Sequence, residues 1–293
     1  MAIFKGMVSI LLLTLNTLFW GVPLIALTLL KVITPVQRYR FWILNALCAV
    51  ALNWIGVNLW WMKRWLKPQV QYSVPESLNP DQWWLVISNH RSWTDIFILL
   101  MAVHRRVPMP RFFLKRQLIW IPIVGLAFWA LEFPFMRRFS REQIATNPKL
   151  ATIDRHSTEL MCRQARHAPI AIFNFVEGTR FTLAKRDAQQ SPYQHLLRPK
   201  AGGIAQVLSL LGDQLNGILD VTISYANPSP TFWGFLCGQE APITLHARKL
   251  AIPQWMHESN YHEEKQHKER FHAWINSLWQ EKDALLDNQT DHD

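Results

Sequence analysis

His90 and Asp95 stand five residues apart in the segment Val-Ile-Ser-Asn-His-Arg-Ser-Trp-Thr-Asp, residues 86–95. The apolar run before His90 reads as a strand and the pattern after Ser92 as a helix, so the histidine falls in the turn between them. On one ideal helix the two side chains would point about 140° apart. With His90 in the turn and Asp95 in the helix's first turn, they can meet. A carboxylate on one imidazole nitrogen fixes the tautomer and leaves the other nitrogen free to take a proton. The spacing also suits a capping box, with Ser92 as N-cap and Asp95 three residues on. Both readings stay open. A zinc site lacks further ligands at suitable spacing nearby, and no metal is expected.

A second polar turn, Glu177-Gly178-Thr179-Arg180, follows the apolar run 169–175. Glycine lets a backbone approach closely, and threonine and arginine offer donors to a phosphate or carboxylate. A plain β-turn with a surface ion pair fits the same residues.

These turns need strands that end side by side. Between residues 68 and 255, strand-length apolar runs (70–74, 83–88, 111–114, 133–136, 169–175, 217–224 and 243–247) alternate with helical patterns at 93–103, 121–130, 148–166 and 202–211. The alternation implies an α/β domain with a mixed, largely parallel sheet flanked by helices. Ligands of such sheets bind at the C-terminal ends of strands, where both turns lie.

Residues 7–30 and 41–62 are nearly continuous apolar sequence, and each exceeds the ~20 residues that cross a bilayer core. The first run is too long for a cleaved signal and lacks a small-x-small site after it. Together they read as an N-terminal membrane-embedded two-helix hairpin, with Gly21 and Pro23 able to kink its first helix. Lys5, Lys63, Arg64 and Lys67 at the open end nearly balance Lys31, Arg38 and Arg40 around the bend. Spanning and dipping into one leaflet are therefore equally compatible. The 15 tryptophans and the net charge of +10 suit a wet, anionic lipid boundary. Cys48, Cys162 and Cys237 form neither a disulfide framework nor metal-ligand spacing, which suits a reducing cytoplasmic face. In the tail, Phe271, Trp274, Ile275, Leu278 and Trp279 mark one face of an amphipathic helix. Acids among its polar positions favour packing on the domain over lying on lipid. The expected divisions are 1–67 (hairpin), 68–255 (catalytic domain) and 256–293 (helix and tail).

An Asn-His-x4-Asp turn followed about 80 residues on by Phe-x-Glu-Gly-Thr-Arg resembles the lysophospholipid and glycerolipid acyltransferase family, which includes the 1-acylglycerol-3-phosphate acyltransferases. The resemblance covers residues 70–225. Lys115-Arg116-Gln117-Leu118, Pro122, Gly125 and Phe135-Met136-Arg137-Arg138 look like the family's acceptor-binding block, and Leu219-Asp220-Val221-Thr222 stands near its Val-Pro-Val strand. Val176, Gln117 and Asp220 depart from the usual proline, glutamate and proline. Arg91, the Phe-Met-Arg-Arg ending and the tail from Trp279 to Leu286 are closer to the lysocardiolipin-type branch.

The resemblance implies that His90 is general base on a lysophospholipid hydroxyl and that Asp95 orients it. It implies that Arg180, with Lys115 and Arg138, holds the acceptor phosphate of 1-acyl-sn-glycerol 3-phosphate or another lysophospholipid, while Glu177, Gly178 and Thr179 shape that site. Residues 119–133 and the hairpin would form an acyl tunnel. No cofactor is implied: acyl-CoA or acyl carrier protein enters as a substrate, and the bacterial inner membrane is the implied location. A phospholipid transacylase would use the same residues. A nucleic-acid-binding protein would suit the charge but not two membrane-length runs, and no recognition motif is present. A catalytically silent scaffold has no need of both turns. A lipid hydrolase would want a nucleophile elbow, and no Gly-x-Ser-x-Gly is present.

Overall fold

The computed structural model describes residues 1–137, 146–147, 149–166, 168–258 and 264–290. The chain forms two compact units that interleave in sequence. One comprises Met1–Pro68, Arg111–Met161 and Trp233–Gln239; the other comprises Gln69–Pro110, Cys162–Phe232 and Glu240–Asp293.

The first unit is built on a helical hairpin. Helix α1 (Ala2–Ile33) runs unbroken through Gly21 and Pro23. Helix α2 (Gln37–Trp61) continues into a π turn, Met62–Leu66, that stops at Lys67 in the left-handed conformation. Both helices are long and apolar enough to cross a membrane. Small and polar residues of α1 (Gly6, Ser9, Asn16, Gly21, Thr28) are buried along with Leu47, Ala51, Ile55 and Leu59 of α2, because small side chains let helix backbones approach. Asn16 Nδ2 donates to Trp54 O (3.0 Å) and Trp54 Nε1 to Thr17 Oγ1 (3.1 Å). The outer face, with Leu11, Leu15, Phe19, Val22 and Leu29, is exposed.

The rest of this unit holds α1 near both ends. Ser9 Oγ donates to Leu236 O (2.9 Å), and Gly6 lies so close to Trp233 and Cys237 that a Cβ there would come within 2.7 Å of the Cys237 sulfur. At the other end Lys31 Nζ donates to Ala130 O (2.8 Å) and Glu132 Oε1 (2.6 Å). The expected strand 111–114 divides into β3 (Pro110–Phe112) and β4 (Leu114–Lys115), and β4 pairs in parallel with β5 (Phe135–Met136) as a two-stranded ribbon. The expected helix 121–130 begins later, as α4 (Val124–Ala130), after a 3₁₀ turn at Arg116–Trp120. Pro122 supplies no N–H at that junction. Gly125 is required there, since a Cβ would meet Ile119 O at 2.1 Å.

The second unit carries the main sheet, in the order β1-β8-β7-β2-β6-β3. Its strands are β1 (Val70–Ser73), β2 (Trp83–Ser88), β6 (Ala171–Phe175), β7 (Leu215–Tyr225) and β8 (Ile243–Leu250), with β3 as the edge strand where the chain leaves the unit. β2 pairs in parallel with β6 and β7, and β1 with β8; β7 and β8 are antiparallel. This is the mixed, largely parallel sheet expected from the alternation. β2 reads Trp-Trp-Leu-Val-Ile-Ser without polar alternation because both of its faces are covered. Helices α3 (Thr94–Val103), Ala201–Leu211 and Lys265–Thr290 belong to this unit. The last buries Phe271, Ile275, Leu278 and Trp279, so the tail helix packs on the domain as its acids suggested.

The same helix inserts Lys282, fully buried, beneath β7. Its ammonium donates to Asp220 Oδ1 (2.7 Å), Val221 O (2.6 Å) and Thr222 Oγ1 (3.0 Å). The other oxygen of Asp220 accepts from Arg248 Nε (3.0 Å), and Arg248 also pairs with Glu281 (2.7 Å). The residue that departs from the family's proline is thus the hub of a buried ion pair.

Candidate active site

Parallel register brings the two polar turns together. Ser88, last residue of β2, is level with Phe175, last residue of β6, and with Val221 of β7. Asn89 extends β2 by side chain: its Nδ2 donates to Ile223 O and its Oδ1 accepts from Ile223 N, both at 2.9 Å. The His90 carbonyl accepts from Phe181 N (2.7 Å), tying the first turn to the residue after Arg180. The imidazole stacks on Phe175, with ring centroids 4.0 Å apart and planes 18° apart.

Asp95 lies at the start of α3 with no exposure. Its Oδ2 receives His90 Nδ1 (2.7 Å), Arg91 N (2.7 Å) and Ser92 N (3.0 Å), and its Oδ1 receives the Tyr225 hydroxyl (2.5 Å). Four donors converge on one carboxyl group, which suits the ionised, acceptor-only form. The proton of the imidazole then belongs on Nδ1, and Nε2 is left with a lone pair to accept one. One carboxylate takes the turn's backbone N–H groups and the imidazole together, but the expected capping box is only half formed: the N-cap of α3 is Trp93 rather than Ser92, and Asp95 N donates to the Ser92 carbonyl. Ser92 Oγ accepts from Thr94 N (3.2 Å) within the turn.

The second turn is held by Gly178 N donating to Phe175 O (2.8 Å). Gly178 has φ +70, the left-handed region that glycine adopts without strain, and a Cβ there would press on the Lys200 side chain at 3.2 Å. Thr179 Oγ1 accepts from Lys185 Nζ (2.9 Å), which also donates to Arg180 O (2.8 Å). The exposed Arg180 guanidinium rests 5.2 Å from the centroid of the Trp93 ring, a favourable cation–π placement.

Glu177 is fully buried. The backbone N–H groups of Leu197 and His90 face its carboxyl without closing a hydrogen bond of good geometry. Burial outweighs them and pushes this carboxyl well above the usual carboxylate range. The folded chain then holds this proton more tightly than the unfolded chain. The stability it contributes is complete at low pH and is lost as pH rises through the raised pKa. Glu177→Gln keeps the shape and does not titrate. Its unfolding temperature should gain on that of the unsubstituted chain as pH rises from the usual carboxylate range through the raised pKa. A variant that lost ground over that range would show that the carboxyl is ionised in the fold.

His90, Asp95, Glu177, Gly178, Thr179 and Arg180 therefore meet in the second unit. Lys115 stands exposed on β4 of the first unit, and Arg138 lies outside the described residues. Tyr225 and Lys185 were not legible as site residues. Tyr225 is 130 positions from Asp95 and reaches it only through the β2–β7 register. Lys185 belongs to an unexpected short helix, Leu183–Ala188, whose one sequence signal is Thr182, the N-cap that accepts from Lys185 N.

The strand-end histidine–carboxylate pair and the adjoining glycine turn sit within residues 69–226, which match the sequence model of the acyltransferase family. The chain belongs to that family. It is 26% identical over 182 residues to 1-acyl-sn-glycerol-3-phosphate acyltransferase delta of Bos taurus, covering 58% of this chain and 43% of the bovine one. It is 23% identical over 247 residues to 2-acyl-1-lysophosphatidylinositol acyltransferase of Saccharomyces cerevisiae, covering 69% and 60%. The chain spans about half the length of the curated relatives it matches. Among solved structures, the 1-acyl-sn-glycerophosphate acyltransferase PlsC of Thermotoga maritima aligns with a TM-score of 0.49 at 14% identity, covering 94% of this chain and 93% of that one.

Proposed function

We propose that the protein transfers a fatty acyl group from an acyl thioester, carried by CoA or acyl carrier protein, to the free hydroxyl of a lysophospholipid, with 1-acyl-sn-glycerol 3-phosphate as the first candidate. The observation that carries this reading is the His90 imidazole held through Nδ1 by buried Asp95, with Nε2 unclaimed by Asp95. Nε2 takes the hydroxyl proton as the alcohol oxygen attacks the thioester carbonyl. The tetrahedral adduct then collapses, the C–S bond breaks, and the imidazolium returns its proton to the leaving sulfur. Asp95 stays ionised and stabilises the imidazolium between the two steps, as in the histidine–carboxylate half of a serine-hydrolase triad. The substrate supplies the hydroxyl, so no acyl-enzyme forms.

The same reading seats the protein on a membrane through the hairpin, in one leaflet. Segments of the first unit hold α1 near both ends, at Leu236 and at Ala130–Glu132. A spanning α1 would put one of these segments across the bilayer. Among the described residues, only α1 and α2 with its π turn have the length and apolarity to cross.

Arg180 would grip the acceptor's phosphate, since a guanidinium can meet phosphate oxygens as a two-pronged fork. Purified protein given a panel of lysophospholipids with labelled acyl-CoA or acyl carrier protein thioesters should esterify the glycerol-phosphate acceptor. Arg180→Ala should raise the KM for that acceptor about 10–100-fold, the loss of one charged hydrogen bond, with a smaller fall in kcat. Arg180→Lys should recover part of it. No transfer to any acceptor would end the reading. A donor KM that rose while the acceptor KM stayed put would reverse the assignment of the two substrates.

A further inference from the structure

We propose that Tyr225 is a positioning residue of the proton-transfer pair, its hydroxyl fixing the orientation and charge of Asp95 and, through it, the imidazole of His90. The proposal rests on the reading of His90 as base. Tyr225 is the last residue of β7 and is buried. Its hydroxyl donates to Asp95 Oδ1, whereas the imidazole and the turn's N–H groups all use Oδ2. The phenol is thus the one described side chain bonded to the second carboxyl oxygen, and it acts from a strand rather than from the turn it steadies. Asn89 clamps the same stretch of β7 at Ile223, so the aspartate and its anchor share one rigid frame.

A donor to a carboxylate draws off part of its charge. Without it, Asp95 would hold the imidazolium more strongly, and Oδ1 would lose its fastening while Oδ2 kept His90, Arg91 N and Ser92 N. The other titratable groups facing the cluster are Arg91, Glu177 and Glu240. Burial pushes the carboxyls of both glutamates upward from the usual carboxylate range.

Tyr225→Phe removes only the hydroxyl. The acid limb of its kcat–pH profile should move up by about half a unit to one unit. At the optimum kcat should fall roughly tenfold, with both KM values little changed. In an Asp95→Asn background the same substitution should cost little further, because the two act through one contact. Should Tyr225→Phe not fold, replacing all five tyrosines by 3-fluorotyrosine gives a stronger phenol donor, and the acid limb should move down. An acid limb that stays put, or effects of Tyr225 and Asp95 that simply multiply, would overturn the proposal. A His90→Ala protein that still turns over would instead overturn the reading of the base on which it rests.

Discussion

Replacing His90 by alanine should lower kcat by about two to four powers of ten, the usual worth of a positioned general base. The loss should fall on chemistry rather than on folding. The imidazole contributes one stacking contact, with Phe175, and one hydrogen bond, to Asp95. The turn keeps its other fastenings: Asn89 to Ile223, the His90 carbonyl to Phe181 N, and the Asp95 carboxylate to Arg91 N and Ser92 N. Membrane attachment and both KM values should therefore survive. Single-turnover transfer from a labelled thioester separates the chemical step from product release. Asp95→Asn should cost less than His90→Ala, since a poorly oriented imidazole still accepts a proton on occasion. Near-normal turnover in His90→Ala would remove the mechanism and leave the histidine as a satisfied turn residue.

Much of the site could be read locally because its parts are local. The run from Trp83 to Ser88 gave a buried strand, His90 and Asp95 fell on one turn, and Gly178 marked a tight corner. Each is a contact within a few residues, where spacing and period constrain geometry. The sequence left undecided whether Asp95 caps a helix or holds the histidine, and the fold shows one carboxylate that takes the imidazole and the turn's backbone N–H groups together. What escaped was non-local. Tyr225 meets Asp95 only because β7 lies beside β2 in parallel with Ser88 level with Val221. No periodicity within either strand encodes that register. The interleaved units escaped for the same reason, since residues 111–161 and 233–239 join the hairpin by contacts over long separations. The segment 111–115 misled because a short apolar run does not reveal which partner each half will find. Its two halves are β3 of the main sheet and β4 of the ribbon.

Lys282 lies outside the stretch matched by the family model, and although the tail from Trp279 to Leu286 drew notice as a block, nothing in the sequence marks this lysine as buried. Lys282→Met preserves most of the length and apolar stem of the side chain and deletes the charge. Asp220, only 3% exposed, would then keep Arg248 as its partner from one side, while Val221 O and Thr222 Oγ1 lose a donor. Breaking a buried pair from one side typically costs roughly 3–5 kcal/mol, because the remaining charge stays desolvated. In detergent solution the thermal midpoint should fall by on the order of 10 °C. The double substitution Lys282→Met with Asp220→Leu should recover most of that loss, since a buried pair exchanged for apolar side chains is often neutral or better. Arg248 would keep Glu281 as its partner. Recovery in the double variant would identify the half-paired, buried aspartate as the cause. If instead the double variant is no more stable than Lys282→Met alone, the lysine acts by packing, and the pair with Asp220 contributes little to holding the C-terminal helix against β7.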